Sequence, residues 1–478
     1  MAEEEEVIKP RVWRKLSEEE TNIHRSLDVY LHGELAGKLD QYVIPDRFSP
    51  KHSLVFTYDP EHLKKGGEQL SISLPLQEEA FIDYNRQSDS DPKPVRYFFR
   101  GLLPESKSHQ RLSDYLDESE KHEYVHTEER RCFAAAFLTV LGGDCAGAIT
   151  FHLHNTKPPV PTDAMELLDE KSLYQVMDDL FKLPMLVDKG YRLSLAGAQE
   201  KLPVGFVDGK VALMKGGGLT THILKPALWK FPNTTYNEYF CMTLAQRVGL
   251  EAPNCTLLHV GDSSCFLIER YDRYQDDQGV TRSIHQEDFC QIMSLTESKK
   301  FEFYGGPGIQ KCMDVIGEHC VDPGTNKLTF LTIILYNFIV GNSDAHHKNY
   351  SLLYDKKGLR VAPAYDILSM AVYPDVTLDM AMRVGEEDSP DCVKKSDFFK
   401  FVENSFKEDL DAAKASFETT MNNMMDTIEG KALELKKEFE EQSFKSPIYD
   451  EIIEIIKDRV HQLRTGPKET IRRNTSLF

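Results

Sequence analysis

The sequence predicts an α+β protein, with β-rich parts first and a mostly helical part last. Three observations carry that expectation. Short apolar runs separated by glycines fill the first half, helical periodicity dominates from about Gln286 onward, and a proline-rich stretch, TKPPVPT at 156–162, divides the first half where no helix could pass. Four parts follow: a charged extension over 1–26, a β-rich subdomain over 27–155, a second sheet-bearing part over 163–272 and a helical part over 273–478. No internal repeat recurs at a fixed period.

The extension, beginning MAEEEEVIKP, is charged and poor in apolar residues, so it has little to bury. At LDVYLHGELAGKLD the pattern changes: Leu27, Val29 and Leu31 alternate with polar neighbours and a glycine interrupts, as in a hairpin. HSLVFTY, EQLSISLPL and PVRYFFRGLLPE continue in strand and turn character, whereas SHQRLSDYLDESEKHE and EERRCFAAAFLTVLG have the spacing of amphipathic helices. This part ends near AGAITFHLH. Beyond the prolines, MELLDEKSLYQVMDDLF reads as helix, and RLSLAGAQEKLPVGFVDGKVALM with THILKP reads as sheet. NEYFCMTLAQRVGL is a periodic helix with Phe240, Leu244 and Val248 on one face. CTLLHV and SCFLIERYD are two more strands, and the helical remainder is interrupted only by GNSDAHHKN and short strands around it.

Composition narrows the function classes. A chain of 478 residues with 41% hydrophobic content can bury real cores in about two to four units. Its 57 basic and 77 acidic residues give a net charge of -20, which argues against wholesale wrapping of nucleic acid. Nine cysteines from Cys132 to Cys392, with no C-x-x-C pair, predict reduced thiols rather than a disulfide framework or a zinc ribbon. The N-terminus lacks the basic start and apolar core of a signal, and no run approaches about 18 uninterrupted apolar residues. The expectation is a cytosolic protein without membrane contact. The locally basic RVHQLRTGPKETIRRNTSLF reads as a solvated helix and frayed tail, with nucleic-acid contact a minor alternative.

The chemistry concentrates in GNSDAHHKN, directly after the apolar helix LTFLTIILYNFIVG, which would hold an acid still. Asp344 and Asn349 stand at the D-x-x-x-x-N interval of the protein-kinase catalytic loop, where the Asp accepts the substrate hydroxyl proton and the Asn holds magnesium. The same two residues also suit an ordinary capped turn, so the reading needs company. In VAPAYDILSM, Asp366 stands where a kinase keeps its D-F-G metal-binding acid, and with Asn349 it offers oxygen ligands for magnesium. THILKP puts Lys225 at the end of an apolar strand, and Glu238 can reach it from the first turn of the following helix. SLAGAQEK, from Ser194 to Lys201, is a small-residue turn able to approach an anion, though it is neither G-x-G-x-x-G nor a P-loop. FLIERYDR ends a strand where a hinge between lobes would fall, which makes Glu269 and Tyr271 candidate neighbours of adenine. His346 and His347 diverge as sequence neighbours and have no third ligand at metal spacing, so zinc is not expected.

Together, SLAGAQEKLPV, HILKP, NEYFCMTLA, IERYDR, HQEDFCQ, YGGPGI, GNSDAHHKN and APAYDILS resemble the HipA family of serine/threonine kinase toxins, and LDVYLHGELAGKL, ISLPL and FFRGLLPE resemble its N-terminal subdomain. The resemblance runs from Leu27 to about Val384. It implies a two-lobed protein-kinase-like fold, ATP with magnesium, and a protein serine or threonine as acceptor. It further implies Asp344 as catalytic acid, Asn349 and Asp366 as metal ligands, and Ser194 as an autophosphorylated serine. Nucleotide contacts would come from Lys225, Glu238, Ala196, Gly197, Ala198, Gln199, Lys201, Glu269, Tyr271, His346 and Lys348. The implied partners are an aminoacyl-tRNA synthetase or other translation protein as substrate and a small helix-turn-helix antitoxin that binds DNA, with no sequence-specific nucleic-acid binding by the chain itself. Ala345 stands where many relatives have Gly, and the second histidine is a further departure. D-A-H-H-K-N is also similar to the loop of phosphoinositide kinases, so a lipid or small-molecule kinase is the alternative. A kinase-shaped corepressor without turnover is a third reading.

Overall fold

The computed structural model describes residues 22–44, 51–83, 93–105, 134–159, 162, 164–180, 199–215, 217–228 and 230–467. Strands β1 (Asn22–Leu31), β2 (Glu34–Ile44) and β3 (Lys51–Tyr58), helix α1 (Pro60–Lys64), β4 (Phe81–Asp83), helices α2 (Pro94–Gly101) and α3 (Ala134–Leu141), and β5 (Ile149–Leu153) form the N-terminal module. Its sheet is antiparallel in the order β4-β3-β2-β1-β5. The alternation at Leu27, Val29 and Leu31 is realised: all three are buried and face the helices' side of the sheet, with Leu27 opposite Leu39 and Leu153. Gly37 sits where a Cβ would lie 2.5 Å from the Thr57 carbonyl oxygen, so no other residue fits that crossing.

The second sheet comprises β6 (Met165–Leu167), β7 (Leu202–Val207), β8 (Lys210–Met214), β9 (His222–Pro226), β10 (Cys255–Val260) and β11 (Ser263–Glu269), in the order β10-β11-β9-β7-β8-β6. Helices α4 (Glu170–Leu180) and α5 (Thr234–Arg247) accompany it. The remainder contains the hairpin β12 (Arg273–Gln275) and β13 (Thr281–Ser283), strand β14 (His285–Asp288), short helix α6 (Phe289–Ile292), α7 (Ile309–His319), α8 (Pro323–Val340), strands β15 (Ser351–Asp355) and β16 (Gly358–Val361), and helices α9 (Lys395–Ser405), α10 (Leu410–Glu441) and α11 (Ile448–Thr465). Strands β14, β15 and β16 make a small antiparallel sheet beneath this helical lobe. One apolar core joins α5 to the helical lobe, through residues such as Phe240, Phe330, Ile339, Phe417 and Tyr449; a second joins the N-terminal module to the six-stranded sheet. Among the described residues no helix is long and apolar enough to cross a membrane.

Four local expectations are corrected. PVRYFFRG is helix α2 rather than strand: Pro94 occupies its first turn, and Val95, Phe98 and Phe99 are buried at helical spacing. EQLSISLPL makes only an isolated bridge between Ser71 and Leu74, because it wraps the buried Tyr58 hydroxyl, which accepts from Leu70 N–H and donates to the Leu74 carbonyl. MELLDEKSLYQVMDDLF begins as edge strand β6 before helix α4. Helix α5 starts at Thr234, so Glu238 lies in its second turn, and it is buried nearly all round rather than on one face. SHQRLSDYLDESEKHE and most of the extension and tail lie outside the described residues.

Two buried polar clusters fasten the N-terminal module to the rest. Asp144 and Asp272 face Arg270 and Arg273 with all four side chains at most 4% exposed, at distances of 2.7 to 3.4 Å. Glu287 on β14 accepts from Ser71 Oγ at 2.5 Å, from Ile72 N–H at 2.9 Å and from the Tyr354 hydroxyl. Burial pushes the Glu287 carboxyl up to about 7, with these donors opposing. A carboxyl raised above its unfolded value, roughly 4.3, contributes stability that is complete below that pH and is lost as pH rises through about 7. Glu287→Gln, which cannot ionise and keeps one oxygen for Ile72 and Tyr354, should therefore lose less melting temperature than the parent between about pH 5 and about pH 8. Calorimetric melts of both proteins at the two pH values check this, and parallel declines would contradict it.

Candidate active site

The lobes meet at a cleft of about 400 Å³. Apolar side chains such as Ile223, Ile268 and Leu368 line part of it, and charged groups line the rest. Lys225 is central to the charged end. It projects from β9, in the middle of the second sheet, and is 5% exposed. Its Nζ lies 2.6 Å from Glu238 Oε1 on α5 and 2.5 Å from Asp366 Oδ1. Burial alone would push the Lys225 ammonium down, but Asp366 and then Glu238 hold it above the usual lysine range. Burial would likewise raise the Asp366 carboxyl, and Lys225 and Lys201 hold it well below the usual range. Asp366 has φ of 57°, a left-handed backbone that turns its carboxylate toward β9. Lys201, at the head of β7, is pushed down to about 8, first by burial and in part by the like charge of Lys225.

The segment holding Asp344 is built by the end of α8. That helix stops at Gly341, whose φ of 75° closes the C-terminus and whose absent Cβ would lie 2.8 Å from Ala371. Asn342 then reaches back to Asn337 at 2.8 Å and accepts Asp344 N–H at 3.2 Å. The Asp344 carbonyl accepts His346 N–H at 2.8 Å and the Asn349 side-chain amide at 3.0 Å, closing the turn. The Asp344 side chain itself is open to solvent along the cleft, yet flanked by protein. That enclosure, with Asp366 and Glu105 adding to it against Lys300, pushes its carboxyl up to about 6.

The adjacent histidines point into the neighbouring segment. His347 donates from Nδ1 to the Lys300 carbonyl at 2.7 Å, and His346 meets the Phe301 ring edge-on at 5.2 Å. Tyr271 donates to Gln286 at 2.5 Å with its ring 5.2 Å from Tyr365, while Glu269 accepts from Asn254 at 2.8 Å. Lys348 is 2.5 Å from Glu105, a partner that no motif announced.

Every sequence-predicted site residue that falls within the described residues lines this one cleft: Gln199, Lys201, Lys225, Glu238, Glu269, Tyr271, Asp344, His346, Lys348, Asn349 and Asp366. Ser194, Ala196, Gly197 and Ala198 lie outside the described residues. Sequence reasoning missed Glu105, Lys300 and Asp288, which also line it. FFRGLLPE was the only local signal for Glu105, and it marked the module rather than the residue. A larger groove of about 820 Å³ between the N-terminal sheet and the β12–β13 hairpin holds none of these groups.

The fold is of the two-lobed kinase-like α+β class. Residues 193–432 match the HipA-like C-terminal domain and residues 27–152 match the HipA N-terminal domain. The chain belongs to the HipA family of kinases. It is 37% identical over 368 residues to the Sinorhizobium fredii protein named "Putative kinase Y4mE", covering 76% of this chain and 81% of that one. It is 28% identical over 382 residues to the serine/threonine-protein kinase toxin HipA of Shewanella oneidensis, covering 77% and 80%. A solved complex of HipA, HipB and operator DNA from Shewanella oneidensis MR-1 superposes with a TM-score of 0.70 at 23% identity, over 92% of this chain and 97% of that one; at that identity the likeness is one of fold.

Proposed function

We propose that this chain is an ATP-dependent serine/threonine protein kinase, a toxin that phosphorylates a translation protein such as an aminoacyl-tRNA synthetase. The observation that carries the reading is the contact of Lys225 with both Glu238 and Asp366 in the cleft that also holds Asp344 and Asn349. Lys225 is suited to the nucleotide's phosphates, and Glu238 to fixing that lysine. Asn349 uses its amide hydrogen on the Asp344 carbonyl, which leaves its oxygen, and with the Asp366 carboxylate this makes an all-oxygen donor pair of the kind magnesium prefers. Bound there, magnesium would neutralise phosphate charge. Asp344 takes the proton of the acceptor hydroxyl as that oxygen bonds to the γ-phosphorus; the bond from the γ-phosphorus to the bridging oxygen breaks, and ADP leaves with the electron pair.

We place self-modification at Ser194, seven residues before Lys201 in the sequence. A phosphoserine carries nearly two negative charges near neutral pH and would repel the nucleotide's phosphates. The antitoxin we infer is a small helix-turn-helix protein, in keeping with the HipB and operator DNA found with the Shewanella HipA. Radiolabelled ATP and magnesium should label a protein acceptor and the chain itself, with the self-label mapping to Ser194 and lost in Ser194→Ala while ADP binding persists. Label appearing only in phosphoinositide vesicles would sink the protein-acceptor reading.

A further inference from the structure

The N-terminal module enters the cleft through Gly101, Leu102 and Glu105. Glu105 is 5% exposed and lies between two ammonium groups: Lys300 Nζ is 2.7 Å from Oε2 and Lys348 Nζ is 2.5 Å from Oε1. The two lysines come from different segments. Lys300 ends the single-turn helix Glu297–Lys300 and offers its carbonyl to His347, whereas Lys348 lies in the turn His347–Asn349, four residues after Asp344. One carboxylate therefore ties a separate module both to the turn that follows Asp344 and to the segment hydrogen-bonded to that turn. Burial alone would raise the Glu105 carboxyl, but Lys348 and Lys300 hold it down at about 2, so it is an anion throughout the working pH range.

Two lysines beside a triphosphate site are not neutral bystanders. A lysine is a point charge on a flexible stem, and in a cleft that admits phosphates it swings to whichever anion is nearest. Such contacts tighten ground-state binding and do not speed transfer. A fixed pair with one net positive charge beside the reacting oxygens is already oriented when charge develops there.

We propose that Glu105 is a positioning residue for phosphoryl transfer, holding Lys300 and Lys348 as a fixed pair beside Asp344, where the γ-phosphoryl group is transferred, and away from the nucleotide's α- and β-phosphates. The proposal rests on the kinase reading of the cleft. A plain fastener between module and lobe is the competing role, and the two differ in what happens to nucleotide affinity. Loosening a fastener opens the cleft and weakens binding; freeing two cations in the cleft strengthens it.

The chain and its Glu105→Gln variant, nearly the same shape without the charge, are compared by self-labelling with ATP and magnesium and by calorimetric titration with ADP in EDTA. The expected result is a turnover rate lower by about 10- to 100-fold, with ADP bound more tightly than by the parent. Lys300→Met is the second variant, an unbranched apolar replacement of similar length for a side chain that is 12% exposed. It too should slow turnover, and Glu105→Gln should cost less in that background than alone. Turnover of Glu105→Gln within about twofold of the parent overturns the proposal. So does slower turnover with weaker ADP binding and additive losses in the double variant, as does unchanged turnover in Lys300→Met. A parent protein that labels neither itself nor any acceptor would instead refute the kinase reading, before any Glu105 comparison is made.

Discussion

Asp344→Asn is expected to lower phosphoryl transfer by about 10²- to 10⁴-fold while leaving the fold and nucleotide affinity nearly unchanged. The contacts that shape the turn are made by the Asp344 main chain: its N–H to Asn342, and its carbonyl to His346 and Asn349. Its carboxylate faces the open cleft, so an isosteric amide disturbs none of them. What the amide cannot do is accept a proton from the acceptor hydroxyl. Steady-state labelling gives the rate, ADP titration the affinity and a thermal melt the stability. Turnover within about tenfold of the parent would remove Asp344 from the chemistry and leave the cleft as a binding site. In cells the same variant should no longer arrest growth.

Much of the cleft was legible because its groups sit where elements begin or end. Lys225 closes a short apolar strand, Glu238 follows in the next helix, and Asp344 comes directly after a long apolar helix, at a glycine stop. Each of these positions has local punctuation that a pattern of spacing can find, and their order along the chain matched one architecture. Glu105 had no such signal. It enters the cleft by packing of a separate module, and its partner Lys300 is 195 residues away in sequence, a distance over which periodicity says nothing. Helix α2 was misread for a related reason: its aromatic residues fit strand propensity, and only the burial of Val95, Phe98 and Phe99 together resolves the period. Of the paired histidines, His347 anchors on the Lys300 carbonyl and His346 packs on Phe301, contacts with a segment more than 40 residues away that spacing does not report.

Lys225→Met should have the second large effect, and it should appear in stability as well as in activity. The side chain is buried against two carboxylates at 2.6 and 2.5 Å, and removing the cation strands both acids beside one another. Breaking a buried pair in this way costs about 3–5 kcal/mol. Two features favour the lower end. The Asp366 side chain is 33% exposed and keeps some hydration. Lys201, now held down in part by Lys225, loses that like charge, becomes the more fully protonated, and remains beside Asp366 and Glu238. Its ammonium cannot restore activity, because it approaches from the head of β7 rather than from β9, and ATP loses the lysine that Glu238 had fixed. The Glu238→Gln change in the Lys225→Met background separates the two effects: removing one stranded charge should recover part of the stability and none of the turnover. Urea unfolding and ATP labelling of the parent, single and double variants measure both. If Lys225→Met unfolds at the parental urea concentration, or if the double variant regains turnover, the buried triad is neither the electrostatic keystone of the cleft nor its phosphate anchor.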